Sequence, residues 1–374
     1  MEIQTAWVKP PNQIGGLDHL AVQASCINIY GRLLPGITNV TDRARYYSFY
    51  PWVVWALEQS GHKYNDAFVN QFRRADCLFT LIAQRHAQLA GNYDEHAAAT
   101  VGSGNMAELV GMIKADQSVR LSDVAHRGGG ERARYFKNKL GGLGQYYLGV
   151  FAELGMMDGN SSSGVKNTNQ IGRVLAEAMD QGVSRELFLQ TIAEDLVTVD
   201  RLDKLVCFCP CQLSQSTKEH QLLIDLFFTR GLFLDTDMMP RRRTLQAMLY
   251  LAEQLSGKGF SIDLTLFRGC VYTGSLPDGS EWVLPDRLLH NRARWAVYQR
   301  NELLSVAVQA IFFVLLGSYE ELGYRIESVE QLVDWFLTSP EVQTLSKSTS
   351  LDDLVPDLEK GADSWLPLLV PILS

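Results

Sequence analysis

Segments of helical length, each closed by glycine or proline, follow one another along almost the whole of this 374-residue chain. Punctuation of that kind, with few alternating apolar stretches between, predicts a mainly α, multi-helix protein. A first helix is predicted from Leu17 to Leu34, closed by Pro35-Gly36. A second runs from about Asp42 to Ser60. Thr41 or Asp42 caps its start, Gly61 ends it, and Pro51 inside it predicts a kink or a break. A third is expected from Asn65 to Leu89. Ser216 and Glu219 form a capping-box pattern ahead of "HQLLIDLFFTRG". Met239-Pro240 opens a helix through Leu255, and a long helix is predicted from about Pro285 to Leu316. "CVYTGSLPDGSEWVLP" carries a hairpin signal, with Pro277-Asp278-Gly279 as its turn.

The greasiest stretch, "LLSVAVQAIFFVLLG" from Leu303 to Gly317, is too short for a membrane core of about 30 Å at a rise of about 1.5 Å per residue. It also carries Gln309, and a buried core helix is expected. The tail "SWLPLLVPILS" is apolar, but Pro367 and Pro371 deny it a helix. It is expected to dock into a groove of this chain or of a partner, which makes it a route to oligomers. Three regions are expected: a helical part over 1–110, a winged-helix-like part over 111–185, and a helical part over 186–374 with the hairpin near 270–284. A net charge of −8 excludes a chain-wide basic field for nucleic acid. Six sparse cysteines, with no leader pattern in "MEIQTAWVKPP", lead to the expectation of a reducing, cytoplasmic setting and no membrane.

One tetrapeptide pattern recurs. "DRARYYSFY" from Asp42, "ERARYF" from Glu131 and "NRARW" from Asn291 each place an aromatic ring three residues after the first arginine. On a helix, the guanidiniums of Arg43, Arg132 and Arg292 would lie against Tyr46, Tyr135 and Trp295. Arg45, Arg134 and Arg294 would point elsewhere. Arginine early in a helix opposes the helix dipole, so a carboxylate such as Asp42 or Glu131, or an external phosphate, must offset it. The arginines therefore read either as internal ion pairs or as an anion-binding face. Arg241, Arg242 and Arg243 add a second basic cluster at a helix start, and they too read as solvated or as anion-binding.

"YYLGVFAELGMMDGNSSSGVKNTNQIGRVLAEAMD" predicts a helix, a short strand, a tight turn, a second strand and a helix. Residues 141–180 resemble the end of a winged-helix domain, in which a small hairpin follows the recognition helix. That resemblance implies contact with nucleic acid or protein, with Arg132, Arg134, Lys137 and Lys139 before the helix and Lys166 in the wing as the nearby basic residues. The helix before the wing is rich in Gly, Tyr and Leu, which departs from a groove-reading helix.

Catalytic signals are weak. "CFCPC" places Cys207, Cys209 and Cys211 on alternate positions without a matching second pair, and the nearest histidine is His220. The segment reads as buried, hydrophobe-like cysteines, and neither metal nor cofactor is expected. No His-Glu-x-x-His, P-loop or nucleophile-elbow spacing occurs. "YQRNELL" reads as a structural polar network of Gln299, Asn301 and Glu302.

Two stretches, "LLPGITNVTDRARYYSFYPWVVW" and "RWAVYQRNELLSVAVQ", resemble uncharacterised bacterial proteins encoded in phage-defence gene clusters. The resemblance implies a component that works beside other proteins. The chain thus reads as a non-catalytic binding or adaptor component that docks a partner protein or nucleic acid. The alternative is a hydrolase, such as a nuclease, with a site the sequence disguises.

Overall fold

The computed structural model describes residues 20, 22–37, 42–126, 136–160, 164–213, 217–234, 239–321, 323, 325, 328–340 and 342–343. In chain order the helices among them are α1 (Gln23–Leu33), α2 (Tyr46–Gln59), α3 (Asp66–Ala90), α4 (Tyr93–His96), α5 (Ala107–Lys114), α6 (Ser122–Ala125), α7 (Leu148–Glu153), α8 (Gly172–Asp180), α9 (Arg185–Glu194), α10 (Val199–Lys204), α11 (Lys218–Phe227), α12 (Met239–Gly257), α13 (Leu264–Thr273), α14 (Asp286–Glu321) and α15 (Val329–Thr338). Strands are short: β1 (Val119–Arg120) pairs antiparallel with β4 (Leu196–Val197), and β2 (Met157–Asn160) with β3 (Gly164–Asn167). The mainly α class is therefore what the punctuation predicts.

The chain divides into two compact units. One is Leu34–Arg242; the other combines Met1–Leu33 with Arg243–Ser374. This division is discontinuous, unlike the three consecutive regions read from the sequence.

In the unit Leu34–Arg242, α2 is the central element. It continues through Pro51 from Tyr46 to Gln59 and buries eleven of its residues. A helix apolar on every side must be surrounded, and α2 packs against α3, α8 and α11. Its rings form the heart of the core: Phe49 stacks on Phe79 with centroids 3.9 Å apart, and Trp52 meets Phe208 edge-on at 4.9 Å. Each such pair contributes about 0.5–1.5 kcal/mol beyond area burial. α3 starts where Asn65 caps it, the side chain accepting a bond from the Phe68 N–H at 2.9 Å. The β2–β3 hairpin fastens to α2 through Asn167, whose Nδ2 donates to the Pro51 carbonyl at 2.7 Å. In α11 the cap is Thr217, which accepts from the His220 N–H, and Glu219 turns inward. Ser216, the expected cap, lies outside the described residues.

Arg73 on α3 is wholly buried. It donates to the carbonyls of Ala125, His126, Phe136 and Asn138 at 2.6–3.2 Å. Four chain positions are thereby gathered on one planar donor fork.

In the other unit, Thr244 on α12 is a junction. Its hydroxyl donates to the Leu33 carbonyl at 2.7 Å and accepts from Asn291 Nδ2 at 3.1 Å and Trp295 Nε1 at 3.0 Å. One donor and two acceptor sites are the full capacity of a hydroxyl, so α1, α12 and α14 meet there with nothing left over. Tyr30 packs edge-on against Trp295 at 6.3 Å. Arg300 sits over the Tyr272 ring at 5.7 Å and ties α14 to α13. The expected hairpin near 270–284 is reduced to one bridge, Ser275 to Glu281, because α13 extends to Thr273 and absorbs its first half.

The stretch Leu303–Gly317 departs from expectation. Ser305, Ala307 and Ala310 are buried, but Leu304 is 51%, Phe313 66% and Leu316 48% exposed. The buried-core-helix expectation is therefore corrected: α14 is apolar around its circumference here, and described neighbours cover only part of it. By length and composition, Asp286–Gly317 is also apolar enough to cross a membrane.

Candidate functional site

The first Arg-x-Arg pair precedes its helix rather than opening it, since α2 begins at Tyr46. The dipole conflict expected for these arginines does not arise. Neither does the stacking of Arg43 on Tyr46: the Tyr46 ring is buried in the core, and Arg43 donates to the carbonyls of Ala98 (Nε, 2.8 Å) and Asp94. Arg45 goes the other way. It is buried and pairs with Glu219, Nε to Oε1 at 3.2 Å and Nη2 to Oε2 at 3.1 Å. Its Nη1 donates to the carbonyls of Cys207 and Cys209 at 2.7 Å each. Ser48 donates a further bond to Glu219 Oε1. Two guanidiniums two residues apart thus hold two separate turns. Arg43 brackets the one carrying His96, and Arg45 grips the one carrying Cys209.

Between those turns four potential ligands converge. His86 from α3, His96 from α4, and Cys209 and Cys211 each offer one donor atom, and all four atoms lie within 4.8 Å of one another. Cys211 Sγ is 3.4 Å from His86 Nδ1 and 3.4 Å from Cys209 Sγ. The two imidazole rings lie 4.1 Å apart. His96 and Cys209 are buried, and His86 and Cys211 partly so. His96 Nδ1 is a buried nitrogen with no hydrogen-bond partner. Burial pushes the Cys209 thiol up to about 12, and the adjoining Cys211 sulfur adds to the shift. Burial, then the neighbouring His96, holds His86 below the usual imidazole value, so its neutral, ligand-competent form is favoured. The histidine pair missing from the cysteine spacing is supplied by residues more than a hundred positions earlier. No local spacing announces it, and His220, the near histidine, is not part of the group. Cys207 lies outside it as well, its thiol 3.9 Å from Ser184 Oγ.

The remaining residues expected to bind anions scatter. Arg241 is buried and donates to the carbonyls of Phe227, Leu226 and Pro35 and to Thr229 Oγ1. Arg292 does not stack on Trp295; it donates to the Trp282 carbonyl at 2.7 Å and reaches Glu281 at 3.3 Å. Lys166 and Arg243 are exposed, and Arg242 and Arg294 are half-buried. Arg132 and Arg134 lie outside the described residues. In the polar network, Gln299 is buried, Asn301 bonds back to the Val297 carbonyl at 2.9 Å, and Glu302 bonds Tyr298. Burial and that bond raise the Tyr298 hydroxyl well above its usual value. The helical stretch before the hairpin turns Tyr147 and Phe151 into the core and presents Gln145, Tyr146 and Ala152 outward, without a basic side chain among them.

In comparisons with family models, with curated proteins and with solved structures, none matches the chain.

Proposed function

We propose that this protein is a non-catalytic binding component that docks a partner protein through the exposed apolar faces of α14 and α15. The observation that carries this reading is the stretch Leu303–Gly317. A helix apolar all round is ordinarily buried, yet only 17% of the most apolar window of this one is buried. α15 adds a stripe in Val329, Val333 and Leu337, four residues apart and all exposed. Such i, i+4, i+8 spacing suits an apolar helical segment of another protein laid alongside it. A membrane is the poorer occupant. The helix is long and apolar enough to span one, but Gln309 and Ser305 bond each other in the middle of its most apolar stretch at 3.0 Å. Nucleic acid is also a poorer fit, because Arg45 and Arg241 spend their guanidiniums inside the protein. The resemblance to proteins of phage-defence clusters, which implies work beside other proteins, agrees with this reading.

The test compares the full chain with Leu304→Glu and Phe313→Glu. The expected result is a wild-type monomer that does not float with anionic vesicles and co-purifies from its native cell with one stoichiometric protein, lost in both variants while the circular dichroism spectrum is kept. Vesicle flotation of the wild type, or self-association abolished by Phe313→Glu, would each replace the partner with a membrane or a second copy and sink the reading.

A further inference from the structure

We infer that His86, His96, Cys209 and Cys211 form a closed zinc site in the unit Leu34–Arg242. This inference is independent of the docking surface.

The donor set is the first reason. Two thiolates and two neutral imidazoles form a borderline-soft, four-membered set that suits tetrahedral zinc, and a full complement of protein ligands marks a structural rather than a catalytic ion. Distance is the second. Bonds of about 2.3 Å to sulfur and about 2.0–2.1 Å to nitrogen place neighbouring tetrahedral ligand atoms about 3.3–3.8 Å apart. Cys211 Sγ already stands 3.4 Å from both Cys209 Sγ and His86 Nδ1. The widest spacing in the group, within 4.8 Å, needs a contraction of about 1 Å, which ring and thiol rotations supply.

Satisfaction of buried polar atoms is the third reason. His96 Nδ1 is buried without a partner, and an unmet buried nitrogen is destabilising. A cation in the middle of the group removes such a deficit. Charge is the fourth. Binding releases the two thiol protons to solvent, and one divalent ion with two thiolates and two neutral imidazoles is neutral, as a buried group should be.

Preorganisation is the fifth. The backbone of each ligand turn is held by a buried or half-buried arginine: Arg45 on the Cys207 and Cys209 carbonyls, Arg43 on those of Asp94 and Ala98. Outer-shell contacts that fix ligand position are a regular part of metal sites. The ion would join α3, α4 and the cysteine turn, segments that share no local hydrogen-bond ladder.

Inductively coupled plasma mass spectrometry of the full chain, freed of any histidine tag and purified without chelator, provides the test. One zinc per chain is expected. Cys207→Ser should keep it, and Cys211→Ser and His86→Gln should lose it. Because those two variants could fail to fold, the wild type is also stripped and reloaded with Co2+. The tetrahedral d–d bands and a thiolate charge-transfer band are expected, and zinc should erase them. The inference is overturned by substoichiometric zinc that added zinc does not correct, by another metal in its place, by a Cys209–Cys211 disulfide in the fresh protein, or by folded Cys211→Ser that retains its zinc.

Discussion

At the scale of the residue, the two described Arg-Ala-Arg copies make internal ion pairs, one of the two uses read from the sequence, and the stacking on their own rings does not occur. The guanidiniums of Arg43, Arg45 and Arg292 satisfy carbonyls and the carboxylates of Glu219 and Glu281, because an Arg has five donors and one ring face cannot meet them. Arg45→Ala leaves Glu219 buried without its cation, and removal of one partner of such a pair costs about 3–5 kcal/mol. Urea denaturation should show a loss of that size, whereas Arg294→Ala should stay within about 0.5 kcal/mol of wild type. The internal use of these arginines was open to inference from their flanking acids and rings, but their partners were not. Glu219 was legible only as a helix-cap residue, since its distance from Arg45 in the chain leaves no local signal. His86 and His96 were hidden for the same reason. The cysteine spacing read against a metal, and the two histidines that complete the four-residue group arrive only through the packing of α3 and α4.

At the scale of the element, α3 and α12 start where their caps and punctuation forecast, whereas α2 begins at Tyr46, four residues past the expected Asp42 cap and without a side-chain cap, and α14 runs on from Leu316 to Glu321. Asn65 and the Met239-Pro240 start show why: these signals act within a single turn. The 270–284 hairpin forms around its forecast turn but is shorter than forecast, because apolar side chains of "LFRGCVYT" serve α13 equally well, and packing against α14 decides between the two uses. Glycine positions give a direct test of packing between elements. A Cβ on Gly172, at the start of α8, would lie 2.1 Å from the Met156 carbonyl oxygen, which forbids α8 its present approach to the hairpin. Gly172→Ala should destabilise by about 1–3 kcal/mol. Gly111 in α5 has open space where its Cβ would be, and Gly111→Ala should stabilise by about 0.4–1 kcal/mol. Thermal melts of both variants check the opposite signs.

At the scale of the whole molecule, periodicity along a sequence cannot reveal a unit assembled from both ends of a chain, so reading three consecutive regions was the natural outcome. The unit Leu34–Arg242 contains its own aromatic core, the Arg73 junction and the four metal-competent side chains. Its termini are held close, since Arg241 Nη1 donates to the Pro35 carbonyl at 3.3 Å. Residues 34–242 expressed alone should therefore unfold in a single cooperative transition, with amide exchange protection on α2 and α3 matching the full chain. A molten circular dichroism profile for that fragment would contradict it. The discontinuity also sets a timetable during translation. α1 leaves the ribosome early, but Trp295 and the rest of its α14 partner are made roughly 260 residues later, about 13–50 s at ordinary synthesis rates. For that interval Tyr30 and its neighbours wait unpaired, while the inserted unit has time to finish folding. A nascent chain stalled before residue 286 should thus offer chaperones its N-terminal segment and whatever of α12 and α13 has left the ribosome, beside a folded inserted unit.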